Sequence, residues 1–274
     1  MTTTDLDAAV TAILADDWGD RRAWFEFALA SPACQAFVVD DGDRGVVGTG
    51  VLTVHGQVGW IGTIWVASSM RRRGLGLALT EATLQAGEAA GCRTFVLVAT
   101  ETGRLLYERL GFEVQSWYRT MEAPTPPDGL IRRARRVLVR PFRPDDLDAI
   151  IALDRAATGE DRATNLAILA TPDTTRVLDR DGAVAGYVAR APWGGGATIA
   201  PRLDDAMAIL AARVGTGAPG RRVRCGILIE NEAGAAALEA AGWREAWRAP
   251  RMIRGAPLHW HADHIWGQFN HAMG

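Results

Sequence analysis

Two short strings set 131 residues apart, Leu110-Gly111-Phe112 and Ala241-Gly242-Trp243, constrain this chain more than anything else in it. The same offset lays Tyr107 over Leu238 and Thr100 over Asn231. In each half an apolar strand, a helical run and a closing glycine precede a further apolar residue, so the chain reads as two diverged copies of one fold. Its 274 residues suffice for roughly two domains, each with a core of its own.

Helix-spaced apolar residues (Leu6, Val10, Ile13; Trp24, Phe25, Leu29) predict helices over 5–14 and 21–29. Strands are expected at 36–39, 45–54 and 58–66, with turns at Asp41-Gly42-Asp43 and His55-Gly56-Gln57. A long helix over 75–90 stops at Gly91; a buried strand at 94–99, a short helix at 103–110 and a strand at 112–121 complete the first copy. The second copy repeats this with strands at 137–142, 175–178, 183–188, 197–200 and 223–229, and helices at 145–153, 203–214 and 232–241. The fold class expected is α/β (α+β), with two tandem domains at 1–124 and 137–274, each a twisted mixed sheet flanked by helices. Residues 125–136, proline-rich and then arginine-rich, read as a solvated linker. The first copy starts almost at its helix and lacks the strand that opens the second. Another segment is therefore expected to cover the bared sheet edge.

Composition excludes several classes. A net charge of -2 and a pI near 6.2 leave no basic footprint for nucleic acid. Cys34, Cys92 and Cys225 are too scattered for a disulfide framework or a zinc site, and they suit the cytoplasm. The opening MTTTDLDAAV has an early acid and no basic flank before an apolar run, so no signal peptide is expected. Residues 48–70 carry no formal charge and precede three arginines, which tests for a membrane span. His55-Gly56-Gln57 in the middle, with β-branched residues on both sides, predicts two strands instead.

The chemistry lies in Arg71-Arg72-Arg73-Gly74-Leu75-Gly76, between a strand and a long helix. Glycines let a ligand approach the backbone, a helix N-terminus presents unpaired N–H groups, and arginines supply donors matched to phosphate. Together with Ile61 to Val66 before it and Leu106-Tyr107-Glu108-Arg109-Leu110-Gly111-Phe112 after it, the segment resembles the GNAT superfamily of acyl-CoA-dependent N-acetyltransferases. The family's Arg/Gln-x-x-Gly-x-Gly/Ala signature falls on Arg71, Gly74 and Gly76, and the match spans about 36–121.

The resemblance implies that acetyl-CoA lies with its diphosphate on Arg71, Arg72, Arg73, Gly74, Leu75 and Gly76. Its pantetheine arm would run along the main chain at Trp65 and Val66, with the acyl carbonyl polarised by an N–H near Val66. Tyr107 would protonate the departing thiolate. Where many members carry Asn, this chain has Thr100, as in a subgroup of tandem-domain GNAT proteins with an Ala-Thr-x-x-Gly-Arg stretch. The implied activity is direct acetyl transfer to a primary amine of a small molecule in a ternary complex, since no cysteine adjoins the motif. Transfer to protein lysine, and a non-catalytic CoA sensor or scaffold, are the alternatives. Glu26 and His55 are the candidates for a general base, each weighed against an ordinary surface position. Trp18, Trp24 and Trp193 are candidates for an aromatic acceptor wall.

At the offset of 131, Gly74 falls on Asp205 and Gly76 on Met207, and Leu238 replaces Tyr107. Asp204 and Asp205 would face a diphosphate with the wrong sign. The second copy is therefore expected to be degenerate, shaping the acceptor pocket or a homodimer contact. Four of the five histidines (His259, His261, His264, His271) fall in the last sixteen residues. With Trp260, Trp266 and Phe269 among them and no cysteine nearby, a packed aromatic tail is expected there and no metal.

Overall fold

The computed structural model describes residues 1–123, 138–215 and 223–274. The expected linker and its arginine run fall wholly outside these residues. Two compact units emerge, and they interleave the chain where the sequence suggested a single cut. Unit 1 comprises Met1–Glu113 with Met252–Pro257 and His271–Met273; unit 2 comprises Val114–Arg251 with Leu258–Asn270 and Gly274.

Unit 1 follows the order expected. After a 3-10 turn come α1 (Leu6–Ala15) and α2 (Arg22–Ala30), which bury Ala9, Val10, Ile13 and Trp24, Phe25, Ala28, one stripe on each helix. Strands β1 (Cys34–Asp40), β2 (Val46–His55) and β3 (Val58–Val66) form an antiparallel meander. Helix α3 (Leu75–Ala89), strand β4 (Thr94–Val98), helix α4 (Glu101–Arg109) and strand β5 (Glu113–Glu122) follow. The uncharged stretch at 48–70 thus lies in β2, β3 and the turn after them. Among the described residues no helix is long and apolar enough to cross a membrane.

Helix α3 packs hard on β4. A Cβ at Gly87 would come within 2.4 Å of the Phe95 ring, so close approach requires glycine there. Gly87→Ala is expected to cost about 1–3 kcal/mol by overpacking, read as a lowered urea midpoint with unchanged slope. The outer edge of unit 1 is β1, and no described strand pairs with its far side. The segment expected to cover it reduces to one contact, from the Met1 amino group to Ala36 O at 2.9 Å.

Unit 1 also uses residues from late in the chain. Ala256 N donates to Arg93 O at 3.1 Å, and Thr94 Oγ1 donates to Ala256 O at 2.8 Å, beside β4.

Unit 2 contains β6 (Leu138–Pro141), α5 (Leu147–Thr158), α6 (Ala163–Leu169), β7 (Thr175–Arg180), β8 (Ala183–Arg190) and β9 (Gly196–Ile199). Helix α7 (Leu203–Gly215), β10 (Arg224–Leu228), α8 (Glu232–Ala240), β11 (Arg244–Gly255) and β12 (Ile265–Gly267) complete it, the end of β11 belonging to unit 1. Its five-stranded sheet runs β12-β9-β8-β7-β6, and β10 pairs antiparallel with β5. The core gathers Met121, Leu178, Val188, Ile209, Leu210, Ile227, Leu238, Trp243 and Trp266.

The repeat is visible atom by atom. Thr100 caps α4 by accepting from Gly103 N at 3.1 Å, and Asn231 caps α8 by accepting from Gly234 N at 2.9 Å. Gly111 and Gly242 share left-handed φ values of 81° and 85°. Phe112 N donates to Tyr107 O and Trp243 N to Leu238 O, each at 3.0 Å. Around these helices the offset of 131 holds. At α3 and α7 it does not: the helices begin at Leu75 and Leu203, so Arg202 and Asp204 stand where Gly74 and Gly76 stand in unit 1.

Candidate active site

The site begins where two strands part. Strands β3 and β4 pair in parallel at Val58–Thr94, Gly59–Phe95 and Trp60–Val96; that ladder ends at Trp60, while β3 continues to Val66. A bulge between Thr49 and Val51 in the β2 register adds a residue to β3 at this point. Thr63 takes a φ of +51°, unusual for a β-branched residue. Two bonds hold it there: Trp24 Nε1 donates to Thr63 Oγ1 and Thr49 Oγ1 to Thr63 O, both at 2.9 Å.

Beyond the bulge, Ala67 N donates to Val47 O at 2.9 Å. Because N–H groups alternate sides along a strand, the Val66 N–H faces away from β2, into the gap. The Val66 carbonyl faces the same way and accepts from Arg71 Nε at 3.0 Å.

The turn into α3 has Gly74 at a φ of +84° as N-cap, with no side chain capping the first N–H groups. A Cβ at Gly74 would meet nothing within 4 Å, and one at Gly76 would meet only Leu106 Cδ2 at 3.7 Å and Val66 Cγ2 at 3.9 Å. Packing of the protein alone therefore does not demand glycine at Gly76. The uncapped amides beside it are donors of the kind that suits an anion. The same two contacts bring the turn, the end of β3 and α4 around one point.

Arg72 and Arg73 are exposed beside the turn, and Leu75 is half-buried in the first turn of α3. Arg71 is exposed as well, but its guanidinium is tied to Asp16. Its Nη2 meets Asp16 Oδ2 at 2.5 Å, and Asp16 also accepts from Trp65 Nε1 at 3.0 Å and Ser68 N at 3.3 Å. Partial burial pushes the Asp16 carboxyl upward, but the bonds from Ser68 and Trp65 and the Arg71 charge outweigh it and hold the pKa below the usual value. The side chains of Arg71 and Trp65 thus brace this turn through Asp16.

Sequence reasoning missed Asp16. The signal was a carboxylate at a helix C-terminus, where the macrodipole disfavours negative charge, so its presence there called for partners. Asp16→Asn is expected to weaken CoA binding several-fold, measured by calorimetry. Because folding lowers this pKa, the stabilisation is present above the unfolded value near 3.8 and fades as pH falls through the folded one.

Tyr107 lies one residue from Leu106 and is 8% exposed. Burial pushes its pKa up to about 12, so the phenol stays protonated in ordinary buffers. Its ring meets Phe112 edge-on at 6.0 Å, and its hydroxyl has no hydrogen-bond partner among the described residues. Thr100, in place of the family's Asn, caps the helix that carries Tyr107.

The two base candidates lie on α2 and at the end of β2. Glu26 is on the exposed side of α2, 3.9 Å from Arg22. His55 is not on the surface: it ends β2, 1% exposed, with Nε2 donating to Met273 O at 2.8 Å. The carbonyl can only accept, so Nε2 carries the proton of this bond. Trp24 reaches the bulge, Trp18 is half-buried after α1, and Trp193 donates to Phe269 O at 2.7 Å within unit 2.

Unit 2 fills the corresponding gap with its own chain. Between β9 and β10 runs β12, with Ile265 opposite Ile199 and Gly267 opposite Thr198. Ala200 N donates to His264 O at 3.0 Å, and on the other side Gln268 Nε2 donates to Gly226 O at 2.9 Å. Asp205 does not face outward as the sequence suggested; it is fully buried and paired with Arg180. Trp266 and Phe269 are buried, as a packed tail requires. Within that tail His261, Asp263 and His264 bring ligand-capable atoms within 4.8 Å of one another, with His261 and Asp263 exposed.

Residues 5–112 match the Acetyltransferase (GNAT) family, and residues 150–267 match an Acetyltransferase (GNAT) domain family. No curated protein sequence matches the chain. Among solved structures, an acetyltransferase candidate from Pyrococcus horikoshii aligns over 100% of this chain and 94% of its own at 22% identity, with a TM-score of 0.83. A tandem GNAT protein from the clavulanic acid biosynthesis pathway aligns over 93% and 95% at 16% identity, with a TM-score of 0.57. A GCN5-related N-acetyltransferase from Kribbella flavida covers 93% of this chain and 69% of its own at 17% identity, with a TM-score of 0.59. These structures share the fold, and the two family matches together span most of the chain. The chain belongs to the GNAT superfamily, with two GNAT domains in tandem.

Proposed function

We propose that unit 1 transfers the acetyl group of acetyl-CoA directly to the primary amine of a small molecule, in the cytoplasm. The observation that carries this reading is the convergence at Gly76. There an uncapped helix turn, the free side of β3 and the helix of Tyr107 surround a space that the protein itself leaves open. The three free cysteines agree with a reducing compartment.

Acetyl-CoA supplies an activated acyl group as its thioester. The amides opening α3 bind the diphosphate, with Arg72 and Arg73 adding charge at its rim. The Val66 N–H polarises the acyl oxygen as the amine nitrogen forms the C–N bond. The C–S bond breaks, and the Tyr107 hydroxyl gives its proton to the sulfur. The amine nitrogen sheds one proton to solvent and solvent returns one to the Tyr107 phenolate, so the thiol's proton is accounted for and the tyrosine is restored. Unit 2, with β12 in its gap and Leu238 in place of the tyrosine, takes no part in turnover.

Calorimetry with acetyl-CoA tests the binding half, with one site per chain expected. No heat, or two equivalent sites, would overturn it. A thiol-release screen over free amines and a lysine-containing peptide tests the acceptor. Faster turnover of the peptide would move the assignment to protein lysine, and binding without turnover of either would leave a sensor.

A further inference from the structure

Aromatic residues interleave the late histidines, and by sequence alone they would draw the whole segment into packing. In the fold the two kinds of side chain part company. Trp266 and Phe269 are buried, while His261 and Asp263 are exposed and His264 is half-buried. His261 is the N-cap of a 3-10 turn, Ala262–His264, that leads directly into β12. A 3-10 helix has three residues per turn, so side chains three apart eclipse, and His261 stands over His264. Their rings lie nearly parallel, with 19° between the planes and centroids 4.7 Å apart. Asp263 reaches the same place, its Oδ2 3.9 Å from His264 Nε2. One ligand atom from each of the three residues lies within 4.8 Å of the others.

The backbone of this turn is tied down at three points within unit 2. His261 N donates to Ala157 O, in the last turn of α5, at 2.8 Å, and Ala200 N donates to His264 O at 3.0 Å. Asn231, which caps α8, donates from Nδ2 to Asp263 O at 3.1 Å. The three ligand groups therefore hang from a fixed frame, and side-chain torsions alone separate them from a closed set. Two ligand atoms bonded at about 2.0–2.1 Å to a tetrahedral ion stand about 3.4 Å apart. Exposed imidazole and carboxylate groups reach that spacing by turning, with no movement of the main chain.

We propose that His261, Asp263 and His264 bind a divalent first-row transition-metal ion such as zinc on unit 2. Two imidazoles and one carboxylate make a nitrogen-rich set, which suits zinc and its neighbours; magnesium and calcium call for oxygen ligands instead. Water completes the coordination, since the turn is open to solvent on the side of His261 and Asp263. The ion joins His261, tied to α5, to His264, the residue before β12. It thereby staples the entry of the strand that occupies the gap of unit 2. The role is structural and independent of the acetyl transfer proposed for unit 1.

The test is calorimetry on the untagged full chain, stripped with a chelator and titrated with zinc chloride. One ion per chain is expected, and magnesium chloride should give no heat. His261→Ala and His264→Ala should each weaken zinc binding by at least about tenfold, and Asp263→Asn should weaken it as well. His259→Ala, which removes an exposed histidine outside the set, should leave the affinity unchanged. Zinc should raise the melting temperature of the unsubstituted protein and of His259→Ala, but not of His264→Ala. His261→Ala truncates an exposed side chain, so its melting temperature without zinc should match the unsubstituted protein and show that lost binding is not lost folding. No heat with zinc would overturn the site, as would unchanged affinity in the His261→Ala, His264→Ala double variant. A melting temperature unmoved by zinc would mean that the unfolded chain binds equally well, and would overturn a site made by the fold.

Discussion

Replacing Gly76 by glutamate is expected to reduce acetyl-CoA affinity by at least about a hundredfold, or about 2.7 kcal/mol, while the melting temperature barely moves. The two halves of this result have separate causes. A Cβ at Gly76 would meet protein atoms only at ordinary contact distance, 3.7 Å from Leu106 and 3.9 Å from Val66, so the fold admits it. The carboxylate would then stand in the first turn of α3, where a helix welcomes negative charge in the absence of ligand. A bound diphosphate needs the same amides and carries the same sign. Calorimetry and a thermal melt on one preparation check both halves. An unchanged Kd would remove the turn before α3 from the cofactor site.

Tyr107→Phe should lower kcat by about a hundred- to a thousandfold and leave acetyl-CoA affinity within about twofold. The ring keeps its edge contact with Phe112, and the lost hydroxyl strands no partner among the described residues. Structure is thereby spared and proton donation removed. Since burial holds the pKa at about 12, the wild-type rate should show no alkaline fall assignable to this tyrosine in the working range. Its contribution to stability has the sign of a raised pKa: it is fully present below the unfolded value near 10 and lost as pH climbs through the folded one. A Phe variant with near-normal kcat would show that the thiolate leaves without this donor.

The meander, the strand–turn–helix and the two copies could be read from the sequence because each has a local cause. β-branched runs flanking the turn at 55–57 mark β2 and β3, Gly74 and Gly76 mark the turn before α3, and Gly111 and Gly242 close matching helices. What escaped was long-range. Helix α6 is only one to two turns long and offers too little periodicity to stand out. Strand β11 contains Pro250 and four arginines, a pattern that argues against a paired strand until its partners are known. Strand β12 is three residues long, and its place between β9 and β10 depends on a gap that no local pattern announces. The burial of His55 has the same origin: its partner, Met273, is 218 positions away. The slip at α7 arose because a fixed offset cannot follow a change in loop length between the copies.

The make-up of unit 1 sets a schedule for the ribosome. The turn before α3 and Tyr107 emerge early, yet Met252–Pro257 and His271–Met273 are translated much later. Until then Arg93 O lacks the Ala256 amide and His55 lacks its carbonyl acceptor. A nascent chain halted midway holds every residue proposed for the chemistry, but the domain that carries them cannot yet close. On the proposed reading, the site gains its folded support only once residues 252–257 and 271–273 are in place.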